Sequence, residues 1–452
     1  MGLLDYAIEI SPPIFRKYGE RIRSSSVGHR LARGAFWAVV GTVVARLFGM
    51  VAGILTARIL GKEGYGEFGV IQNTIGLVGL FAGLGMGTTA VKHVAELRLS
   101  DPARAGRVLG FSVSLAATAS AAMAVVLLLT APWLAAHALA QPRLTGLLRL
   151  SAMLMVLSTL NGVQIAALSG FEAFRRISTV NLVTGLLTLP LVIGGTLLLG
   201  IKGTVLGYTA TVASSCLLAG LALRREYTRT GIRPSYSMKS TEWRLFWRFS
   251  FPATMAGMMV APVNWACMAM LVNRPGGYGE MGIFNAANQW FMAAMMLPST
   301  IGQAILPVLS ERIGAGDNRR SASILKKCIQ LNAVVVLIPS LLGGLLSTQI
   351  MKSYGAGFTG GWRVLLVCLL TACLVAVQTP VGLVLVASGR LWTGFLMNAG
   401  WGAVFVGSTV LLLPMGAFGL ASARCLAYLV HTTWVAAYVL YLLRGRESRG
   451  DS

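Results

Sequence analysis

Arg46 sits near the middle of GAFWAVVGTVVARLFGMVAGILTARIL, residues 34–60. About 24 apolar residues at 1.5 Å rise are enough to cross a hydrocarbon core of roughly 30 Å. A guanidinium at that depth costs a few kcal/mol or more unless it faces protein or water. It suits an anion, being always charged and offering a planar fork of donors to phosphate or carboxylate oxygens. The competing reading is an arginine held on helix carbonyls for structural reasons alone. Thr42, Gly49 and Gly53 share its helix face, and residues this small fit either close packing or a cavity wall.

A second set of groups with chemistry lies near the C-terminus. Arg424 and His431 are two helical turns apart on one face, with Tyr428 between them. They form either a second cationic stripe, in which His431 titrates near neutrality, or a snorkelling arginine and a hydrogen-bonded core histidine. Asn285, Asn288 and Gln289 make a polar patch at helical spacing on an apolar segment. Such donors and acceptors serve sugar hydroxyls or interhelical hydrogen bonds equally well. Asn161 with Gln164, Asn264 after Pro262, and Gln378 before Pro380 belong to the same class.

The carboxylates carry the converse message. All 15 Asp and Glu residues fall in loops or at the ends of apolar spans. Buried arginine without buried acid favours an anionic cargo and counts against a cation antiporter, which needs intramembrane carboxylates. Glu67 and Glu280 stand at equivalent places in a repeated motif. Pairing with Arg58 or Arg274 would let them gate an outer mouth; alternatively they are solvated acids near helix N-termini. The six cysteines lie in or beside apolar spans without CxxC spacing, so they read as small core residues and no metal site is expected. No catalytic residue and no cofactor is assigned.

The elements that must position these groups are membrane helices. The 452-residue chain is 55% apolar and 12% charged, with the apolar residues in long blocks, which excludes a soluble globular protein. Hydropathy predicts twelve spans, near 34–58, 67–90, 108–130, 147–168, 178–199, 203–223, 250–272, 281–305, 324–347, 363–387, 391–413 and 417–441. With the N-terminus inside, inner segments hold 28 of the 38 Lys and Arg, and outer segments hold eight. That bias predicts that both termini are cytoplasmic. The net charge of +23 then reports topology and contact with anionic lipid, not nucleic acid. No cleavable signal peptide is expected at the basic N-terminus, whose Pro12 and Pro13 interrupt any surface helix.

The chain reads as a duplication. Gly64-Tyr65-Gly66-Glu67-Phe68-Gly69 returns as Gly277-Tyr278-Gly279-Glu280-Met281-Gly282. VKHVAELRLSDPARAGRVL is echoed by VLSERIGAGDNRRSASIL, and LSGFEAFRRISTVN (168–181) by ASGRLWTGFLMN (387–398). Six spans per copy insert the same way up. The expected organisation is a basic cytoplasmic segment 1–33, a six-helix bundle 34–223, a basic linker 224–249, a second bundle 250–443 and a tail 444–452. In the linker, TEWRLFWRF has the look of an interfacial segment. Prolines 252, 262, 298 and 380 make the C-terminal half the expected site of bending.

The basic N-terminus, a first span with internal arginine, LGKEGYGEFGVIQN, GLGMGTTAVKH and GFEAFRRISTVNLV resemble the polysaccharide-biosynthesis flippases. These are the Wzx-type (O-antigen) members of the multidrug/oligosaccharidyl-lipid/polysaccharide (MOP) exporter superfamily. The resemblance implies an all-α membrane protein of about twelve helices, in two parallel six-helix repeats around a central cavity (a MATE-like fold). It also implies translocation of undecaprenyl-pyrophosphate-linked oligosaccharide to the outer leaflet for surface polysaccharide. A polysaccharide polymerase and assembly proteins are the expected partners. A cation-coupled multidrug exporter of the same fold is the rival reading. A membrane polymerase or ligase would require a sizeable outer loop that the sequence lacks.

Overall fold

The computed structural model describes residues 26–236, 243–244, 246–247, 258–314 and 318–447. The expectations for Pro12, Pro13 and Pro252 lie outside them. Among the described residues the chain is helical, with no strand. Seven described helices are long and apolar enough to cross a membrane. Backbone amides cannot bond to lipid, so a helix, which satisfies its own, is the expected solution.

The order begins with α1 (Ser26–Gly83), α2 (Met86–Leu97), α3 (Pro102–Trp133), α4 (Leu144–Gly170) and α5 (Phe174–Thr230). It continues with α6 (Val260–Val272), α7 (Gly277–Ala294), α8 (Met296–Gly314), α9 (Asn318–Leu345) and α10 (Ser347–Ser353). The last three are α11 (Trp362–Ala387), α12 (Leu391–Leu412) and α13 (Gly416–Glu447).

Two of these are pairs of helices joined at one glycine. Gly61 (φ 70, ψ 178) breaks α1, and Gly200 (φ 58, ψ −136) breaks α5. A side chain at such a φ meets its own carbonyl, so glycine is what lets one membrane helix run directly into the next. The spans expected at 178–199 and 203–223 are the two arms of α5. The span expected at 67–90 ends early, where Leu84 and Gly85 both take positive φ and start α2. The span expected at 281–305 is divided between α7 and α8. The longest expected outer loops carry helical turns, at Leu134–Ala138, Ser347–Ser353 and Ala356–Gly361.

Packing forms two compact units, Met1–Ala52 with Val78–Leu129 and Arg149–Pro252, and Gly53–Leu77 with Thr130–Leu148 and Ala253–Ser452. The first unit has a core of small and aliphatic side chains, including Ala90, Leu109, Ala167, Val180 and Leu223. The linker aromatics join it: Phe246 is buried with Met86 and Phe111, and Trp243 stands edge-on to Phe111 at 5.7 Å. In the second unit α13 packs along α11 and α12, and Leu309, Val384, Met397 and Val435 close a core.

Candidate functional site

In the first unit, Arg46 lies on a helix held by very close backbone contacts. A Cβ on Gly41 would sit 2.9 Å from the Ser178 Cα, and one on Gly185 would sit 2.7 Å from the Ala45 Cα. The first arms of α1 and α5 therefore cross on glycines, as small residues in a membrane permit. Beside this seam the Asn181 amide donates to the Thr42 hydroxyl at 3.3 Å. Arg46, one turn on from Thr42, is exposed and makes no hydrogen bond or ion pair among the described residues.

Arg424 in the second unit is the opposite case. Only 5% of it is exposed. It donates to the Asn288 side-chain oxygen at 2.7 Å and approaches the Cys368 sulfur at 3.4 Å. The guanidinium carbon lies over two rings, 5.0 Å from the centroid of Phe284 and 4.5 Å from that of Phe291. A desolvated cation sandwiched this way gains about 2 kcal/mol or more from ring quadrupoles. The structure thus brings Arg424 and Asn288 together, and does so in the protein interior.

The rest of the polar patch faces the repeated motif. In the second unit α1 and α7 cross where Gly66 meets Gly282. A Cβ on Gly66 would overlap the Tyr278 carbonyl and lie 3.0 Å from the Gly282 nitrogen. One on Gly282 would overlap the Lys62 carbonyl and lie 3.2 Å from the Gly66 nitrogen. Farther along the same arm of α1 Gly69 makes room for Asn285, and on the arm before Gly61 Gly53 makes room for Gln289. Gln289 also accepts from the Tyr354 hydroxyl at 2.7 Å, which itself accepts from Trp290 at 3.1 Å. The Asn285 amide nitrogen is buried without a hydrogen-bond partner. Composition gave no signal for Tyr354, which completes this network inside a cluster with Tyr65 and Phe358.

The carboxylates of the motif have partners other than those expected. Glu67 accepts from the Gln141 side chain at 3.3 Å. Glu280 accepts from the Ala417 amide at 2.7 Å, capping the start of α13. That is where a helix presents free N–H groups and partial positive charge. Arg58 and Arg274 are exposed, and neither pairs with Glu67 or Glu280 in this structure. Two further bonds reach the helical turn that follows α3: Tyr278 of α7 donates to the Leu139 carbonyl at 2.6 Å, and Asn273, just after α6, to the Ala138 carbonyl at 2.7 Å.

His431 is 7% exposed, and its Nδ1 lies 2.5 Å from the Gln378 amide nitrogen. Arg424 and His431 are both buried, but each has its own set of partners.

Residues 31–312 match the family described as polysaccharide biosynthesis protein. This chain belongs to it. It is 25% identical over 398 residues to the EPS I polysaccharide export inner membrane protein EpsE of Ralstonia nicotianae, covering 84% of this chain and 87% of that one. It is 25% identical over 284 residues to the lipid III flippase of Escherichia coli, covering 62% and 67%. Among solved structures, an inward-facing multidrug resistance MATE transporter of the MOP superfamily overlays with a TM-score of 0.71 at 16% identity, over 89% of this chain and 96% of that one. A MOP superfamily transporter from Pyrococcus furiosus, whose binding pocket is described as reversed in polarity, overlays at 0.68 with 14% identity, over 92% and 96%. These likenesses establish the MATE-like fold of this chain and its place among membrane transport proteins rather than enzymes.

Proposed function

We propose that this protein is a flippase for undecaprenyl-pyrophosphate-linked oligosaccharide, a surface-polysaccharide repeat unit such as an O-antigen, moving the head from the cytoplasmic to the outer leaflet. The observation that carries the proposal is the state of Arg46. A guanidinium left without a partner on an apolar helix cannot face hydrocarbon cheaply, so it must look onto water or an anion. Its donor fork matches a diphosphate or an acidic sugar. The relatives, named for polysaccharide export and for flipping lipid III, support this class of cargo.

In this reading both termini are cytoplasmic, and the basic inner loops gather the anionic head while the polyprenyl tail stays in lipid. The Gly66–Gly282 crossing is the closed outer side of an alternating-access cycle. On opening, Asn285, Asn288 and Gln289 exchange their present contacts for sugar hydroxyls, and Glu67 and Glu280 release Gln141 and the α13 cap. Arg58 and Arg274 then become available as gate partners. Handing the flipped unit to a polymerase follows as the next step.

The test uses a host lacking this gene, complemented with wild type or Arg46→Ala. Surface polymer and the lipid-linked oligosaccharide pool are measured beside drug and dye export. Polymer restored by wild type alone, with lipid-linked sugar accumulating in the variant at equal protein level, supports cargo and site. Normal polymer with altered drug efflux in the deletion overturns the proposal in favour of the cation-coupled exporter.

A further inference from the structure

Between α11, α12 and α13, within the second unit, lies a cavity of about 170 Å³ lined by Gln378, Arg390, Phe395, Asn398, His431 and Val435 among others. Its walls are largely apolar, and no carboxylate lines it. The Thr432 hydroxyl donates to the Tyr428 carbonyl at 2.7 Å and lies 3.2 Å from the Gln378 amide oxygen, and the Gln378 amide nitrogen faces His431 Nδ1. A neutral imidazole accepting at Nδ1 carries its proton on Nε2. That Nε2 is buried and has no hydrogen-bond partner. A buried donor left unsatisfied is costly, and a site that supplies the missing acceptor removes the cost.

At the rim, the exposed Arg390 guanidinium is held on the Tyr438 hydroxyl at 2.7 Å. The outer surface of α12 alongside is apolar, with Trp392 80% and Leu396 66% exposed. One cation, one orphan donor, two amides and a greasy approach describe a receptor for an anionic head with an apolar tail.

The first unit carries the counterpart at the equivalent place in the repeat. Arg176, Thr179, Val180, Leu218 and Arg225, with others, line about 210 Å³ between the two arms of α5. There Arg176 is engaged by Glu226 at 3.1 Å and by the Ala222 carbonyl at 2.7 Å. The acid occupies Arg176 in the first unit's cavity and leaves only the exposed Arg225 there, whereas nothing acidic lines the second. That difference favours the second as the working site.

We propose that the α11–α12–α13 cavity binds the phosphate of a long-chain phospholipid or polyprenyl phosphate, with Arg390 as its cationic donor and His431 Nε2–H turning out of its buried position in the wall to donate on binding. The site stands whether the bound phosphate belongs to the transported lipid or to the bilayer. The test measures binding to the purified full-length protein in detergent by native mass spectrometry, with undecaprenyl phosphate, phosphatidylglycerol and undecaprenol as probes. Both phosphate lipids are expected to bind, and undecaprenol about tenfold or more weaker, the value of a charge-assisted hydrogen bond. Arg390→Gln and His431→Phe are expected to remove that preference. Arg390 is exposed, so its variant keeps the test valid where the histidine variant fails to fold. Preference for undecaprenyl phosphate assigns the site to cargo, and equal or stronger binding of phosphatidylglycerol assigns it to the bilayer. Undecaprenol binding as tightly as its phosphate, or an Arg390→Gln protein that still discriminates, overturns the site. Normal surface polymer in the deletion host, with phosphate binding by the purified protein intact, would sink the flippase reading alone.

Discussion

Arg46 and Arg424 look alike in the sequence, each a cation inside an apolar span, and the structure gives them opposite environments. Arg424 is enclosed, bonded to Asn288 and stacked between Phe284 and Phe291. Arg46 is exposed and unpaired, beside a glycine seam and a Thr42–Asn181 bond. The lesson concerns where interaction energy is committed. A cation whose two terminal nitrogens and ring faces are engaged by protein, as in Arg424, stabilises a fold even with its Nε left unpaired. One whose donors are free can exchange water for cargo. The largest effects on folding should therefore follow Arg424, and the smallest Arg46.

Replacing Arg424 by Ala leaves Asn288 without its donor and opens a cavity between two rings. The cost is expected to be about 2–5 kcal/mol, from the cavity and the orphaned amide. Arg424→Lys keeps the charge but not the planar group that stacks on both rings, and it should recover little. Folded protein after detergent extraction, read by size exclusion and thermal unfolding, checks both. A well-folded Arg424→Ala protein would show that the enclosed arginine is not a structural element.

Next comes the α1–α7 crossing. Gly66→Ala pushes a methyl into the Tyr278 carbonyl, and Gly282→Ala does the same at Lys62. Neither obstacle is a flexible side-chain end, so each variant should lose about 1–3 kcal/mol by forced separation of the helices. Once the first methyl has parted the helices, the second costs less, and the double variant is expected to be clearly less than additive. Additive losses in thermal unfolding would mean that the two glycines do not share one contact. Tyr354→Phe, which deletes the hydroxyl bonded to Gln289 and Trp290, ranks below these at about 1 kcal/mol.

Much of this was legible in the sequence, for reasons that can be named. Membrane helices announce themselves because hydrocarbon demands unbroken apolar length, and GYGEFG/GYGEMG announces a duplication because identity at fixed spacing survives outside any fold. The direct helix-to-helix turns at Gly61 and Gly200 were hidden, since a glycine in an apolar run looks the same whether it packs or bends. The polar patch was legible as a patch but not in its direction. Whether Asn288 serves a sugar or Arg424, 136 residues away, is decided by the rotation of α7 against α1 and α13, and that rotation is set by glycines whose neighbours are distant in the chain. Glu67 and Glu280 show the same limit. Their equivalence in the repeat is plain, yet one meets Gln141 and the other a helix start, because each repeat copy lies against a different neighbour.

The smallest effect on stability is expected at Arg46, and it tests the comparison most sharply. No protein group among those described depends on its side chain, so Arg46→Gln and Arg46→Lys should unfold within about 0.5 kcal/mol of wild type. Transport should nevertheless fall in the order Arg, Lys, Gln. Lysine keeps a point charge for phosphate but loses the bidentate fork, and glutamine keeps a donor without charge. The measurement pairs thermal unfolding of each purified variant with accumulation of lipid-linked oligosaccharide in the complemented deletion host. A variant that unfolds as wild type and accumulates cargo separates function from folding at this position, as the free guanidinium predicts. If Arg46→Gln instead unfolds early, the guanidinium is structural like that of Arg424, and the contrast between the two arginines disappears.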